Sequence, residues 1–222
     1  MSENKIVIVE GLIGAGKSTM IPRLIEYLEE RGKHCIYVPE PVEEWKNSGM
    51  LDIFYSDIPK YAYMFHVYTL TTIYNNIKRH LRNARPDDVL VCERSIFSVR
   101  YMFAQNLIDQ GFFTPQQSID FINRFEEFRK DLPDPALFIW LDTPLNTCME
   151  RIHIRNRGNE TSGVKQEYQN QLWENHVKFF ENPSFPYKYV VSPQISLDYI
   201  HKVGPKSDED EFMEHVYHNL YN

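Results

Sequence analysis

Cysteine is scarce in this sequence, and positive charge is outnumbered. The three cysteines, Cys35, Cys92 and Cys148, lie far apart and form no C-x-x-C pair. That argues against a disulfide framework or a zinc site and for a reducing compartment. Cys92 falls inside an apolar run and reads as a small core residue. Lysine and arginine number 24 against 31 aspartates and glutamates, a formal net charge of −7. A protein that coats nucleic acid needs a basic face to neutralise phosphates, so no nucleic-acid partner is expected. No apolar stretch reaches membrane-spanning length and no basic leader precedes the first apolar run, so no membrane partner is expected. The expected location is cytoplasmic. Repeats and low-complexity segments are also missing. A chain of 222 residues that is 42 % hydrophobic suits one globular domain over residues 1–222.

Four short apolar runs read as buried parallel strands: Ile6–Val9, Cys35–Val38, Val89–Cys92 and Leu137–Leu141, with Tyr187–Val191 as a fifth. Segments of helical spacing separate them: Lys17–Arg31, about Pro59–Arg85, Ile96–Gln110, Pro115–Lys130, Leu145–Arg157 and Lys165–Glu181. Strands alternating with helices predict an α/β fold, a doubly wound parallel sheet of about five strands with helices on both faces. Gly32 stands at a C-cap position, and Thr114-Pro115 opens a helix as N-cap and first residue. The acidic stretch Ser207–Glu211 predicts the start of a last helix whose carboxylates face solvent.

Gly11-Leu-Ile-Gly-Ala-Gly-Lys-Ser18 fits G-x-x-x-x-G-K-[ST] and sits between the first strand and a helix, where that motif belongs. Gly11, Gly14 and Gly16 allow a tight bend, so that backbone N–H groups from Gly14 through Thr19, Ala15 included, point at phosphates. Lys17 is expected to reach the β- and γ-phosphates, and Ser18 to ligate Mg²⁺. The loop does not name the phosphate acceptor. No N-K-x-D and no D-x-x-G after a strand occur, which excludes a switch GTPase.

The third strand ends in Glu93-Arg94-Ser95, at the sheet edge where open α/β folds bind ligands. The second ends in Pro39-Glu40-Pro41-Val42-Glu43-Glu44-Trp45. Glu40 there is either a proton acceptor for phosphoryl transfer or an exposed loop acid, and this motif alone does not choose.

Together these residues resemble the deoxyribonucleoside kinase family, which includes insect-type multisubstrate, mitochondrial-type thymidine and deoxycytidine kinases. The family pattern is a P-loop, then E-P-V-x-x-W, E-R-S and an R-x-x-x-R-x-R lid. Here these read Gly11–Ser18, Glu40–Trp45, Glu93–Ser95 and Arg151-Ile-His-Ile-Arg155-Asn-Arg157. The resemblance covers nearly the whole chain. It implies ATP and Mg²⁺ as cofactors, a deoxyribonucleoside as acceptor and a homodimer as assembly. It also implies Glu40 as general base, Arg94 beside the 5′-oxygen and Glu93 as an organiser of Mg²⁺. Arg151, Arg155 and Arg157, in a lid over about 151–163, would close on the triphosphate. Arg151 and Arg155 are an i, i+4 pair on one helix face. Tyr55 and Glu160 would grip the sugar 3′-hydroxyl.

By the same resemblance Phe65 and Phe103 sandwich the base, and Ile13, Trp45, Leu51 and Phe54 complete the wall. His66 departs from the family, which carries glutamine there. An imidazole offers the base one nitrogen, donor or acceptor by tautomer, and unperturbed it would change charge near ~6.5. Val99 and Ile73 stand where deoxycytidine and deoxyguanosine kinases carry an aspartate and its arginine partner. Two aliphatic residues there predict an apolar pocket floor and a pyrimidine substrate, thymidine or deoxycytidine. Pro193-Gln194-Ile195 is the candidate adenine-binding segment. Two rivals are thymidylate kinase, whose D-R-Y/H and R-E-P-G-G signatures are missing here, and a catalytically silent P-loop module.

Overall fold

Runs such as Val-Leu-Val-Cys and Leu-Phe-Ile-Trp-Leu are apolar on both faces of a strand, and only a sheet covered on both sides buries them. In the computed structural model, which describes residues 4–155, 164–192 and 208–222, they form such a sheet. Its strands are β1 (Lys5–Gly11), β2 (Cys35–Val38), β3 (Val89–Glu93), β4 (Leu137–Leu141) and β5 (Tyr189–Val191). Their order is β2-β3-β1-β4-β5, and every pairing is parallel. All carboxyl ends therefore share one edge. Val9 pairs with Glu93 in register, so the turns after β1 and β3 begin side by side. β5 is shorter than expected: Tyr187 turns aside, and its hydroxyl donates to Asp134 at 3.1 Å. Cys92 is fully buried in β3, and all three cysteines are free thiols.

The helices are α1 (Lys17–Glu29), α2 (Val42–Asn47), α3 (Met50–Ser56), α4 (Ile58–Asn83), α5 (Gln105–Asp109), α6 (Pro115–Asp131), α7 (Leu145–Arg155), α8 (Gln166–Phe180) and α9 (Asp208–Tyr221). α6 starts as its sequence demands. Thr114 Oγ1 accepts from the Gln117 N–H at 3.2 Å while the Gln117 side chain accepts from Thr114 N–H at 2.8 Å. Such a reciprocal cap contributes about 1 kcal/mol. α4 buries Ala62, Phe65, His66, Thr69, Leu70 and Ile73, a three–four spacing that sets one face against the core.

Two expectations are refined and one further segment takes shape. The helix expected over Ile96–Gln110 is present, but its middle, Ser98–Ala104, is π-helical and runs into α5. Its wide turn is pinned at the start, where Ser98 Oγ accepts from Ser95 N–H and donates to the Glu10 carboxylate. The segment after β2, where the sequence shows no periodic pattern, is folded into α2 and α3. The acids of the last helix do not all face water: Glu209 pairs with Arg23 at 2.8 Å. No described helix is long and apolar enough to cross a membrane.

Candidate active site

Above the carboxyl edge of the sheet lies a cavity of about 930 Å³, within the size range of small-molecule sites. One end is made by the turn after β1, which carries the glycine-rich motif. Gly14 has φ 84, and a Cβ added to it would come within 2.5 Å of the Cys148 carbonyl. A Cβ on Gly11, at φ 147, would meet the Leu141 carbonyl at 2.9 Å. Only glycine fits at either place. Neighbouring elements then tie the loop down. Gln169 of α8, fully buried, donates to Ile13 O at 2.6 Å and accepts from Ile13 N–H at 3.3 Å. Thr143, after β4, donates to Ala15 O at 2.9 Å, and Arg151 of α7 donates to the same carbonyl at 3.1 Å.

Lys17 Nζ donates to Leu12 O at 3.0 Å and Gly11 O at 3.3 Å. Burial, followed by the charge of Arg94, pushes it down to about 8. Gly16 caps α1 with φ 101, and Thr19 follows inside the first turn. Ser18 Oγ donates to Glu93 Oε1 at 3.0 Å, and Tyr37 donates to Glu93 Oε2 at 2.6 Å. A hydroxyl and a carboxylate side by side at a phosphate loop are hard oxygen donors of the kind Mg²⁺ prefers, with phosphates and water completing its shell. Ser18 and Glu93 fit that ion. No group of three or more metal-ligating His, Cys, Asp or Glu side chains occurs among the described residues.

Between the two ends stands Arg94, 3 % exposed and at φ 63, an uncommon backbone conformation for a side chain of its size. Its Nε lies 3.3 Å from Glu40 Oε1. Its guanidinium carbon sits 4.6 Å from the centre of the Phe103 ring. Glu40, at the end of β2, therefore faces Lys17 across one cavity and is held by a buried cation.

The far end is aromatic. Phe65 stacks on Phe54 at 4.4 Å, and Trp45 meets Phe65 edge-on at 6.1 Å while its Nε1 donates to Thr72 at 2.8 Å. His66 is 3 % exposed, and its Nδ1 donates to the Ala62 carbonyl at 2.8 Å. One nitrogen is thus committed as donor, so the neutral ring keeps an acceptor at Nε2. Burial pushes His66 down to about 4, well below an unperturbed imidazole.

Of the sequence-predicted residues, the cavity gathers Ile13, Gly14, Lys17, Ser18, Glu40, Trp45, Leu51, Phe54, Tyr55, Phe65, His66, Glu93, Arg94, Val99, Phe103 and Arg155. Arg151 does not line the cavity; it donates to the Gly14 and Ala15 carbonyls of the loop. Ile73 is a correction: it is buried in α4 and does not line the cavity. It stands seven residues past His66, so it shares that helix face but lies about 10 Å further along the axis. Phe65 and Phe103 both reach the cavity, but Phe54 already covers one face of Phe65 and Arg94 one face of Phe103. Arg157, Glu160, the lid beyond residue 155 and Pro193-Gln194-Ile195 lie outside the described residues.

Glu10, Tyr37, Tyr168 and Gln169 belong to the site without having been expected from sequence. Glu10 had a signal, an acid at the end of an apolar strand just before Gly11. Tyr168, which lines the cavity from α8, and Gln169 had none.

A family model described as deoxynucleoside kinase matches residues 7–221. A fowlpox virus protein described as a probable deoxycytidine kinase is 29 % identical over 225 residues, covering 100 % of this chain and 89 % of the relative. A deoxyguanosine kinase of Lactobacillus johnsonii is 28 % identical over 87 % of this chain and 81 % of its own. A thymidine kinase of ictalurid herpesvirus 1 is 30 % identical over 79 % of this chain and 74 % of its own.

Proposed function

The chain belongs to the deoxynucleoside kinase family, and from that premise we propose that it moves the γ-phosphate of ATP to the 5′-hydroxyl of a pyrimidine deoxyribonucleoside. The observation that carries this reading is Glu40. A carboxylate at a strand end shares one cavity with the phosphate loop and is held 3.3 Å from a buried guanidinium. Phosphoryl transfer asks the protein mainly for positioning and charge neutralisation, with one group to take the hydroxyl proton.

In this reading the triphosphate lies on the N–H groups of the loop from Gly14 to Thr19, and its charge favours the protonated form of Lys17. Arg151 and Arg155, one turn apart on α7, neutralise charge developing on the transferred group. Arg157 acts with them. Ser18 and Glu93 would hold Mg²⁺, which would supply further charge neutralisation to the triphosphate. Glu40 accepts the hydroxyl proton, and Arg94 keeps it turned toward the acceptor. Tyr55, with Glu160, holds the sugar 3′-hydroxyl.

The pyrimidine preference rests on two supports. Val99 leaves an apolar wall, suited to a thymine methyl, where deoxycytidine and deoxyguanosine kinases carry a carboxylate. The Nε2 lone pair of His66 suits the N3–H of thymine or the exocyclic amine of cytosine. Relatives bearing purine and pyrimidine names match alike, so the preference is drawn from these two residues.

Glu40→Gln tests the assignment. It keeps the shape and removes the proton acceptor, so kcat should fall about 10²–10⁴-fold with little change in nucleoside affinity. Near-normal kcat would take the role of base away from Glu40.

A further inference from the structure

Glu10 has no part in the mechanism so far, yet it is the only fully buried carboxylate among the described residues. It sits at the end of β1, directly before the phosphate loop. One of its oxygens accepts from the Ser98 hydroxyl, and the other lies 3.6 Å from Arg94 Nη1. The opposite edge of that guanidinium presents Nε to Glu40 Oε1 at 3.3 Å. Arg94 is therefore the middle member of a row, carboxylate, guanidinium, carboxylate, that runs from the sheet into the cavity. At 3.6 Å the inner pair attracts without a hydrogen bond, and neither Glu10 Oε2 nor Arg94 Nη1 has another hydrogen-bond partner among the described residues. The outer contact is shorter.

A left-handed arginine persists only where its surroundings enforce it. Three contacts do so here: Glu10 behind, Phe103 across the face and Glu40 in front. Only Glu10 is anchored independently of the cavity, through Ser98 at the start of the π-helical segment. That segment also carries Val99 and Phe103 into the cavity.

We propose that Glu10 is a positioning residue for phosphoryl transfer, anchoring Arg94 from behind so that its outer edge fixes Glu40 against the acceptor hydroxyl. This rests on Glu40 being the base. The groups that face Glu10 are Arg94, Ser98, Lys17 and Glu40, and the Cys92 thiol on β3 also senses its charge. Burial raises Glu10 to about 7 against the pull of Arg94, Ser98 and Lys17. Near neutrality Glu10 therefore exchanges a proton, and with it one of the two negative charges that hold Arg94.

Glu10→Gln, measured beside wild type, Ser98→Ala and Glu40→Gln, tests this. With Glu10→Gln, kcat should fall roughly 10- to 100-fold, as expected of a reacting group set slightly out of place. KM for the nucleoside should stay within about threefold, because ground-state contacts are untouched. The kcat profile of wild type should bend near pH 7, and that bend should vanish in Glu10→Gln. Ser98→Ala, which loosens Glu10 but keeps its charge, should lose less and keep a bend. If Glu10→Gln melts too early to assay, Ser98→Ala decides by a fall in kcat at unchanged KM. A wild-type kcat and profile in Glu10→Gln, or a lower kcat with the bend retained, would overturn the proposal. If Glu40→Gln is inactive while Glu10→Gln is normal, only the role of Glu10 fails. Near-normal kcat in Glu40→Gln overturns the base and this proposal together.

Discussion

The two ends of the cavity are made of different material. The phosphate end is backbone: a glycine-rich turn whose carbonyls are held by Gln169, Thr143, Arg151 and Lys17. The proposed nucleoside end is side chain: Phe54 stacks on Phe65, and Trp45 and His66 meet that pair edge-on. Backbone serves any triphosphate and tolerates almost no change of shape. Side chains can be exchanged one at a time, and each exchange alters which acceptor fits. Chemistry is therefore fixed at one end and selectivity adjustable at the other.

Gly14→Ala is the strongest way to break this contrast. Its Cβ would stand 2.5 Å from a backbone carbonyl, at a φ that disfavours alanine, so the loop must shift. Activity should drop by about 10² with every acceptor alike, while a melting curve shows a folded chain. A loss confined to one nucleoside would mean that the two ends are not separable.

A smaller effect is expected at the sugar. Tyr55 lines the cavity, and a 2′,3′-dideoxynucleoside would leave its hydroxyl without the sugar partner. That should cost roughly 1–3 kcal/mol in kcat/KM. Tyr55→Phe should bring the two substrates closer together. Equal efficiency with and without the 3′-hydroxyl in wild type would remove Tyr55 from the sugar site.

The smallest effect concerns His66. With Nδ1 committed to Ala62 and the ring held neutral down to about pH 4, kcat/KM for thymidine and deoxycytidine should show no histidine step between pH 5.5 and 8. His66→Gln restores a second hydrogen bond to the base, a gain of roughly 0.5–1.5 kcal/mol. A wild-type step near 6.5 that His66→Gln abolishes would mean that the ring is not held in this way. The same burial affects stability. Unfolded His66 takes up a proton near 6.5 and folded His66 only near 4. The unfolded chain thus binds more protons in between, and acidification through that window should destabilise wild type more than His66→Gln.

The contrast also decides what could be read from sequence. Gly11, Gly14 and Lys17 were legible because a phosphate loop needs special backbone conformations, and those restrict residue type. Glu40, Glu93 and Arg94 were legible because strands ending at one edge bring their next residues together. The nucleoside end depends on how deep each side chain sits, which periodicity does not give. Ile73 keeps the helix face of His66 and still misses the cavity. The π-helical turn at Ser98 has no local motif, and the partner of its first residue, Glu10, lies 88 residues away. α2 and α3, at six and seven residues, are too short for a periodic pattern to declare itself. Gln169 holds the loop from α8 with no local motif.

The central claim is that this site phosphorylates deoxyribonucleosides, and transfer of label from γ-labelled ATP tests it most directly. Thymidine, deoxycytidine, deoxyadenosine, deoxyguanosine and thymidine monophosphate would each be offered to the wild-type chain. The account predicts labelled monophosphates from the nucleosides, with both pyrimidines ahead of both purines, and no labelled diphosphate from thymidine monophosphate. Label passing to thymidine monophosphate, or to no acceptor at all, would contradict it.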